Sequence, residues 1–216
     1  MKKLVIFDLD GTLLNTIADL AHSTNYALNK LGYPTHEIEK YNFMVGNGID
    51  KLFERALPEG EKSKEILLRV RKEFVPYYDI HNADDSRPYP GIPELLSYLQ
   101  DAGIQIAVAS NKYQAATQKL IDHYFPEIHF TAVFGQREGI KVKPDPTVVF
   151  DILEVAKVTK EEVLYVGDSG VDMQTAANAR VTACGVTWGF RPRAELEEFS
   201  PQYIVDTAEE VKRLIL

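Results

Sequence analysis

The sequence predicts an α/β protein: a mainly parallel sheet flanked by helices, with a small all-helical unit inserted after the first strand. Three observations predict it. Short β-rich apolar runs recur at residues 4–7, 104–109, 130–134, 163–166 and 182–186. Segments of helical spacing lie between them. The interval 15–83 alone breaks this alternation, with helical patterning and no convincing β-run.

Taken in order, Leu4-Val5-Ile6-Phe7 is continuously apolar, as expected of a strand covered on both faces. The inserted interval carries helical spacing at 17–31, 49–56 and 66–78, punctuated by Gly32-Tyr33-Pro34 and Pro58-Glu59-Gly60. Residues 82–90, rich in Asp and Pro, read as the return linker. A helix over 92–102 follows Pro90-Gly91 and presents Leu95, Leu96 and Leu99. The run 104–109 is the next strand, and a helix is expected to start near Tyr113. After the run 130–134, a helix over 146–157 presents Val149, Ile152, Leu153 and Ala156. The run 163–166, a short alanine-rich helix over 172–179, the run 182–186 and a last helix over 208–216 complete the series. Strands alternating with helices make βαβ units and a parallel sheet. The expected division is a core of residues 1–14 and 84–216, with residues 15–83 as the helical insertion. There are no internal repeats.

Hydrophobic residues make up 45% of the 216, charged residues 26%, the profile of an ordinary globular chain. With 24 basic and 32 acidic side chains the formal net charge is −8, which argues against a nucleic-acid binder. An anionic ligand must therefore be attracted locally, by a few positive groups or a metal. The single cysteine, Cys184, rules out an intrachain disulfide and fits a reducing compartment. Asp8 interrupts the apolar N-terminus too early for a signal peptide, and no run is long enough to span a bilayer. The expected setting is cytoplasmic, with no membrane and no nucleic-acid partner. Oligomeric state is not readable.

Four features fall at carboxyl ends of separate strands, the edge where open α/β sheets bind ligands. The first is Asp8-Leu9-Asp10-Gly11-Thr12. In an extended segment residues i and i+2 point the same way, so Asp8 and Asp10 can address one ligand. Adjacent carboxylates need a cation or a shared proton. One can attack phosphorus and the other can move protons. Gly11 allows close approach of the backbone, and Thr12 offers a hydroxyl. The competing role is a polar strand-to-helix turn with Asp10 or Thr12 as a cap.

The second feature is Ser110-Asn111, whose hydroxyl and amide can bond a phosphate oxygen or cap a helix. The third is Lys141-Val142-Lys143-Pro144-Asp145-Pro146. A lysine held before a proline is a point charge for phosphate. Lys141 and Lys143 share a parity, and the proline-locked backbone favours Lys143. Asp145 then Pro146 reads as a helix start. The fourth is Gly167-Asp168-Ser169-Gly170-Val171-Asp172. Asp168 ends another apolar strand. With Asp8 and one backbone carbonyl it makes an oxygen set suited to Mg²⁺ and without the His or Cys that zinc prefers. Ser169 and Asp172 can support it from outside, or cap the following helix. Phosphoryl transfer needs a nucleophile, an acid/base, a clamp and a cation site, and these residues supply that set.

These four segments resemble the four motifs of the haloacid dehalogenase-like hydrolases, in order and along the whole chain. The resemblance implies a Rossmann-like core with a mobile helical cap formed by the insertion. It implies Asp8 as nucleophile, Asp10 as acid/base, and Ser110 and Lys143 as phosphoryl ligands. It implies Mg²⁺ held by Asp8, Asp168 and the carbonyl of Asp10, with Asp172 behind the metal. Asp10 favours phosphoryl chemistry over dehalogenation, and Thr12 departs from the β-branched hydrophobe of the phosphosugar mutases. Residues 45–57 are similar to the cap segment of bacterial phosphoglycolate phosphatases. Within them Gly46-Asn47-Gly48 is a flexible turn able to lay amides against an anion. Asn15 stands where many relatives have an aspartate. The expectation is a Mg²⁺-dependent phosphatase acting on a small phosphorylated metabolite, best matched by 2-phosphoglycolate. A phosphosugar mutase of the β-phosphoglucomutase type and a pyrophosphatase are the alternatives. Arg191-Pro192-Arg193 reads as a loop near the site or a surface turn, the latter favoured.

Overall fold

The computed structural model describes residues 2–215. Strand β1 (Leu4–Phe7) is followed by a two-residue strand β2 (Leu14–Asn15) and then by helix α1 (Ile17–Lys30). A 3-10 segment (Ile38–Phe43), α2 (Ile49–Ala56) and α3 (Lys64–His81) come next. The short β3 (Arg87–Pro88) leads into α4 (Ile92–Asp101), β4 (Gln105–Tyr113), α5 (Gln114–Tyr124) and β5 (Ala132–Gln136). The chain closes with α6 (Thr147–Ala156), β6 (Val163–Gly167), α7 (Gly170–Ala179), β7 (Thr182–Val186), α8 (Arg193–Glu198), β8 (Tyr203–Val205) and α9 (Ala208–Arg213).

Six strands form one sheet in the order β5-β4-β1-β6-β7-β8, every pair parallel. The alternation of side chains explains why the strands read as unbroken apolar runs. Val5 and Phe7 enter one core cluster with Ile106, Val108, Leu164 and Val166. Leu4 and Ile6 enter the opposite cluster with Ala107, Ala109 and Tyr165. Helices cover both faces, so the central strands β1 and β6, and β4 between its ends, are buried on both sides.

The helices α1, α2 and α3 have their own apolar cluster, built on Leu28, Phe53, Phe74 and Tyr78. It also takes in Ala116 of α5 and packs against Phe190, so it rests on the carboxyl edge of the sheet. Where the chain leaves and re-enters the sheet, β2 pairs antiparallel with β3. Asp19 of α1 straps this crossing. It accepts bonds from the backbone amides of Asp85 and Ser86 and from the Ser86 hydroxyl (2.9, 2.8 and 2.6 Å).

Several boundaries differ from the sequence expectation. The strand expected over 104–109 continues to Tyr113 through a register irregularity against β5. The run 130–134 pairs two residues later, as β5. Both β8 and α8 were absent from the sequence reading, because three and six residues are too few for a period to declare itself. The paired β2 and β3 were missed for the same reason.

Candidate active site

Strand β1 lies at the middle of the sheet between β4 and β6, so the segments leaving these three strands share one crevice. Asp8 follows β1, Ser110 and Asn111 lie in the irregular part of β4, and Asp168 follows β6. Lys143 comes from the β5–α6 connection. The irregularity in β4 re-aims side chains, as bulges do. Gly135 of β5 makes room for it, because a Cβ there would lie 2.5 Å from the Lys112 carbonyl oxygen.

Lys143 is the hub. Its ammonium donates to Asp8 Oδ1 (2.9 Å), Asp172 Oδ1 (2.8 Å) and the carbonyl of Ala109 (2.8 Å), which uses all three protons. Its side chain is 2% exposed, whereas that of Lys141 is 83% exposed and only 3.9 Å from Asp145. Burial alone would lower the lysine's pKa, but Asp172 and Asp8 more than offset it and hold the group charged. Asp172 accepts on its other oxygen from the Ser169 hydroxyl (2.6 Å) and amide. With Ser169 it forms a capping box at the start of α7, so it is helix cap and lysine partner at once.

Asp8 accepts from the amide of Leu9 (2.7 Å) as well as from Lys143. Burial, reinforced by the charge of Asp172, pushes its carboxyl up to about 7. Asp168 is likewise pushed well above the usual carboxylate range by burial, Asp172 and Asp8. Its Oδ2 accepts from the amide of Phe190 (2.7 Å). Thr12 is fully buried, its hydroxyl 3.4 Å from Asp168 Oδ1 and its carbonyl bonded by the indole N–H of Trp188. Gly11 has φ +86°, and a Cβ there would fall 2.3 Å from Asp168 Oδ2, so the loop after β1 can reach the carboxylate only with glycine at this position.

Carboxylate oxygens of Asp8, Asp168 and Asp172 lie within 4.8 Å of one another. The oxygens of Asp172 are engaged by Lys143, Tyr165 and Ser169, which leaves Asp8 and Asp168 as the available pair. An all-oxygen donor set in a site with excess negative charge fits Mg²⁺. Three carboxylates (Asp8, Asp168, Asp172) surround the one ammonium of Lys143, a deficit of two charges that one divalent cation cancels. Carboxyls whose folded pKa is raised above the unfolded value contribute stability that is fully present below the unfolded carboxylate range. That stability is lost as pH rises toward about 7 for Asp8. A divalent cation such as Mg²⁺ held there would select the ionised form. Its elevation of the melting temperature over an EDTA control should be several degrees larger at about pH 8 than at about pH 5.5. Equal elevation at both would contradict the assignment.

The remaining sequence candidates divide. The Ser110 hydroxyl accepts from the Lys112 amide (3.1 Å) and lines the cavity above Asp8. The Asn111 amide is already committed, accepting from the Lys143 amide (2.8 Å) and donating to the carbonyls of Lys143 and Gly46. It fixes the lysine loop and ties the helical layer to the sheet, so a phosphate contact would cost one of these bonds. Gly46 and Gly48 line the same cavity, while Asn47 accepts from Arg55 (2.7 Å) on the outer side. Asn15 is exposed, its side chain directed to the amide of Ile17. Arg191 corrects the surface-turn expectation. Its side chain is only 12% exposed and donates to the carbonyl of Val45 (2.9 Å), clasping the helical layer, while Arg193 alone is at the surface.

Two groups beside Asp10 escaped the sequence reading. Asp10 Oδ1 accepts from the Thr16 hydroxyl (2.6 Å) and pairs with the ammonium of Lys112 (3.1 Å). Lys112 also donates to the hydroxyl of Tyr78 in α3 (2.6 Å). The available signal was parity: Lys112 is two residues after Ser110, so in extended backbone both address one side.

Among the described residues, no helix is long and apolar enough to cross a membrane. The model of the haloacid dehalogenase-like hydrolase family matches residues 5–186. A phosphoglycolate phosphatase of Vibrio parahaemolyticus is 31% identical, over 99% of this chain and 96% of that protein. One of Mesorhizobium japonicum is 32% identical, over 99% and 97%. A crystal structure from Lactobacillus delbrueckii subsp. bulgaricus shares 33% identity and a TM-score of 0.93, covering 100% of this chain and 99% of that one.

Proposed function

Because the chain belongs to the haloacid dehalogenase-like hydrolases, we propose that it hydrolyses a small phosphate monoester through a phosphoaspartate on Asp8. The observation that carries this reading is the Lys143 ammonium at 2.9 Å from Asp8, inside a cluster of carboxylates short of positive charge. An anionic phosphoryl group and a divalent cation complete that balance.

In the first step Asp8 attacks phosphorus and the bond to the ester oxygen breaks. Asp10 gives its proton to the departing alkoxide. In the second, Asp10 takes a proton from water as the water oxygen attacks phosphorus. The bond to Asp8 then breaks, releasing inorganic phosphate. Ser110 and Lys143 hold phosphoryl oxygens, Lys143 exchanging its bond to Asp8 for one to the phosphoryl group. Asp8, Asp168 and the Asp10 carbonyl would hold Mg²⁺, which neutralises phosphoryl charge when bound. Residues 15–83 act as a cap over the site, with Gly46 and Gly48 at its inner surface. Closure excludes water from the first step and reopening admits it for the second. Arg191, reaching Val45, and Asn111, reaching Gly46, hold the closed arrangement.

The names of the relatives that align along the full chain support 2-phosphoglycolate as the substrate. A cavity of about 30 Å³ lies between Asp8, Asp10 and the helical layer. Phosphate release from a panel of phosphorylated metabolites, with Mg²⁺, tests the proposal. 2-Phosphoglycolate should rank among the leaders in kcat/KM. Leadership by hexose phosphates or pyrophosphate would displace that substrate, and no release from any ester, an aryl phosphate included, would end the phosphatase reading.

A further inference from the structure

Resting on the phosphatase reading above, we infer that Lys112 is the specificity-determining residue of the site, binding a carboxylate on the substrate's leaving group. Of the residues lining the cavity, Lys112 alone carries a positive charge. Lys143 lies beneath Asp8 and does not line it. The Lys112 side chain is 3% exposed, so its charge is not dissipated in water. Two of its three protons are fixed, one on the Tyr78 hydroxyl (2.6 Å) and one on Asp10 (3.1 Å). The third has no partner among the described residues, and a buried ammonium proton without an acceptor favours any anion that reaches it.

The rest of the wall restricts what that anion is. Leu20, Val45, Ile49 and Leu52 offer no polar side-chain atom. On that side, formed by the helical layer, a polyol would lose its water without side-chain replacement bonds; the polar groups of the wall, Asp8, Asp10, Ser110 and Asn111, belong to the sheet edge. A second phosphate would bring two charges to an ammonium already shared with Asp10. A carboxylate brings one. Position sets the chain length. Asp10 addresses the ester oxygen, and Lys112 is one hydrogen bond beyond Asp10. The ammonium is therefore within two hydrogen bonds and the width of one carboxyl, roughly 8 Å, of that oxygen. One or two carbons between ester oxygen and carboxylate span it. The substrate class is the phosphate ester of a short hydroxycarboxylic acid.

The test compares 2-phosphoglycolate with 2-hydroxyethyl phosphate, which has the same length and a neutral end, in wild type and Lys112→Met. Wild type should prefer the carboxylate. The variant should lose that preference by about tenfold or more, with the loss mainly in KM. Calorimetric titration of 2-phosphoglycolate into Asp8→Asn, with and without Lys112→Met, reads the same contact without turnover. Weakening by a similar factor is expected. Lys112→Gln replaces Lys112→Met if the latter does not melt cooperatively. Equal losses for the two esters, or unchanged calorimetric affinity, would overturn the inference and leave Lys112 as a support for Asp10. Failure of the phosphatase reading looks different: wild type then releases phosphate from neither ester nor from an aryl phosphate, and the titration still decides the role of Lys112.

Discussion

Asp8→Asn should reduce phosphate release by at least about three orders of magnitude while leaving the fold intact. An amide has the size of the carboxyl but cannot form the acyl phosphate, so the whole route is lost rather than slowed. Its stability consequence separates this from damage. Asp8 is a buried carboxyl pushed up to about 7, so near neutral pH the protein holds it at a cost. The neutral amide removes that cost. The bond from Lys143 is kept, since the amide oxygen still accepts, and Lys143 retains Asp172 as counter-charge. The metal-free variant should therefore melt at or above the wild-type temperature, and the stabilisation by Mg²⁺ should fall. Near-wild-type phosphate release, measured with Mg²⁺ in a preparation shown to lack contaminating phosphatase, would refute Asp8 as nucleophile. A large drop in melting temperature would show instead that the carboxylate is structural.

How far the sequence disclosed this site depended on the distance over which each residue acts. Asp8 and Asp168 were legible because a carboxylate ending a buried apolar strand is anomalous in one dimension. The strands 4–7, 163–167 and 182–186 were legible because burial on both faces leaves an unbroken apolar run. Lys141 and Lys143 share a parity, so in sequence only the proline-locked backbone favours Lys143, whereas in space one is in solvent and the other under Asp8. The bonds that commit Asn111 run to Gly46 and the Lys143 backbone, 65 and 32 residues away, so no local pattern discloses them. Arg191 read as a surface turn because Val45, which it clasps, is 146 residues away. Lys112 was hidden by a boundary error. The apolar run ends at Ala109, whereas β4 continues to Tyr113, so no apolar signal marks the extended backbone that sets Lys112 beside Ser110. The helical insertion declared itself by its period, but its attachment through Asp19 and the β2–β3 pair is tertiary and left no local trace.

Lys143→Met should be the most destabilising single change in the site, by about 3–5 kcal/mol, with activity lost as well. Met keeps most of the volume of the lysine stem, so packing is not the cause. The cause is that Asp172, fully buried, and Asp8, nearly so, lose the one cation that both touch. Removing one partner of a buried ionic cluster costs more than the cluster itself contributes, because the remaining charges stay desolvated. Two consequences distinguish this account from a general loss of folding. First, the destabilisation should shrink at acid pH, where the raised carboxyl of Asp8 is neutral and needs no counter-ion. Chemical denaturation at about pH 5 and about pH 8 measures that difference. Second, Lys143→Met combined with Asp172→Asn should be less destabilised than the sum of the two single variants. The coupling should reach about 1 kcal/mol or more in a double-mutant cycle. Asn at 172 can still accept from Ser169 in the capping box, so the start of α7 is kept. Stability would then return in part while phosphate release does not, since no ammonium remains for the phosphoryl oxygens. Additive losses in the cycle, with no pH dependence, would mean that Lys143 supports the fold through its stem and that the charge balance built around Asp8 has been misassigned.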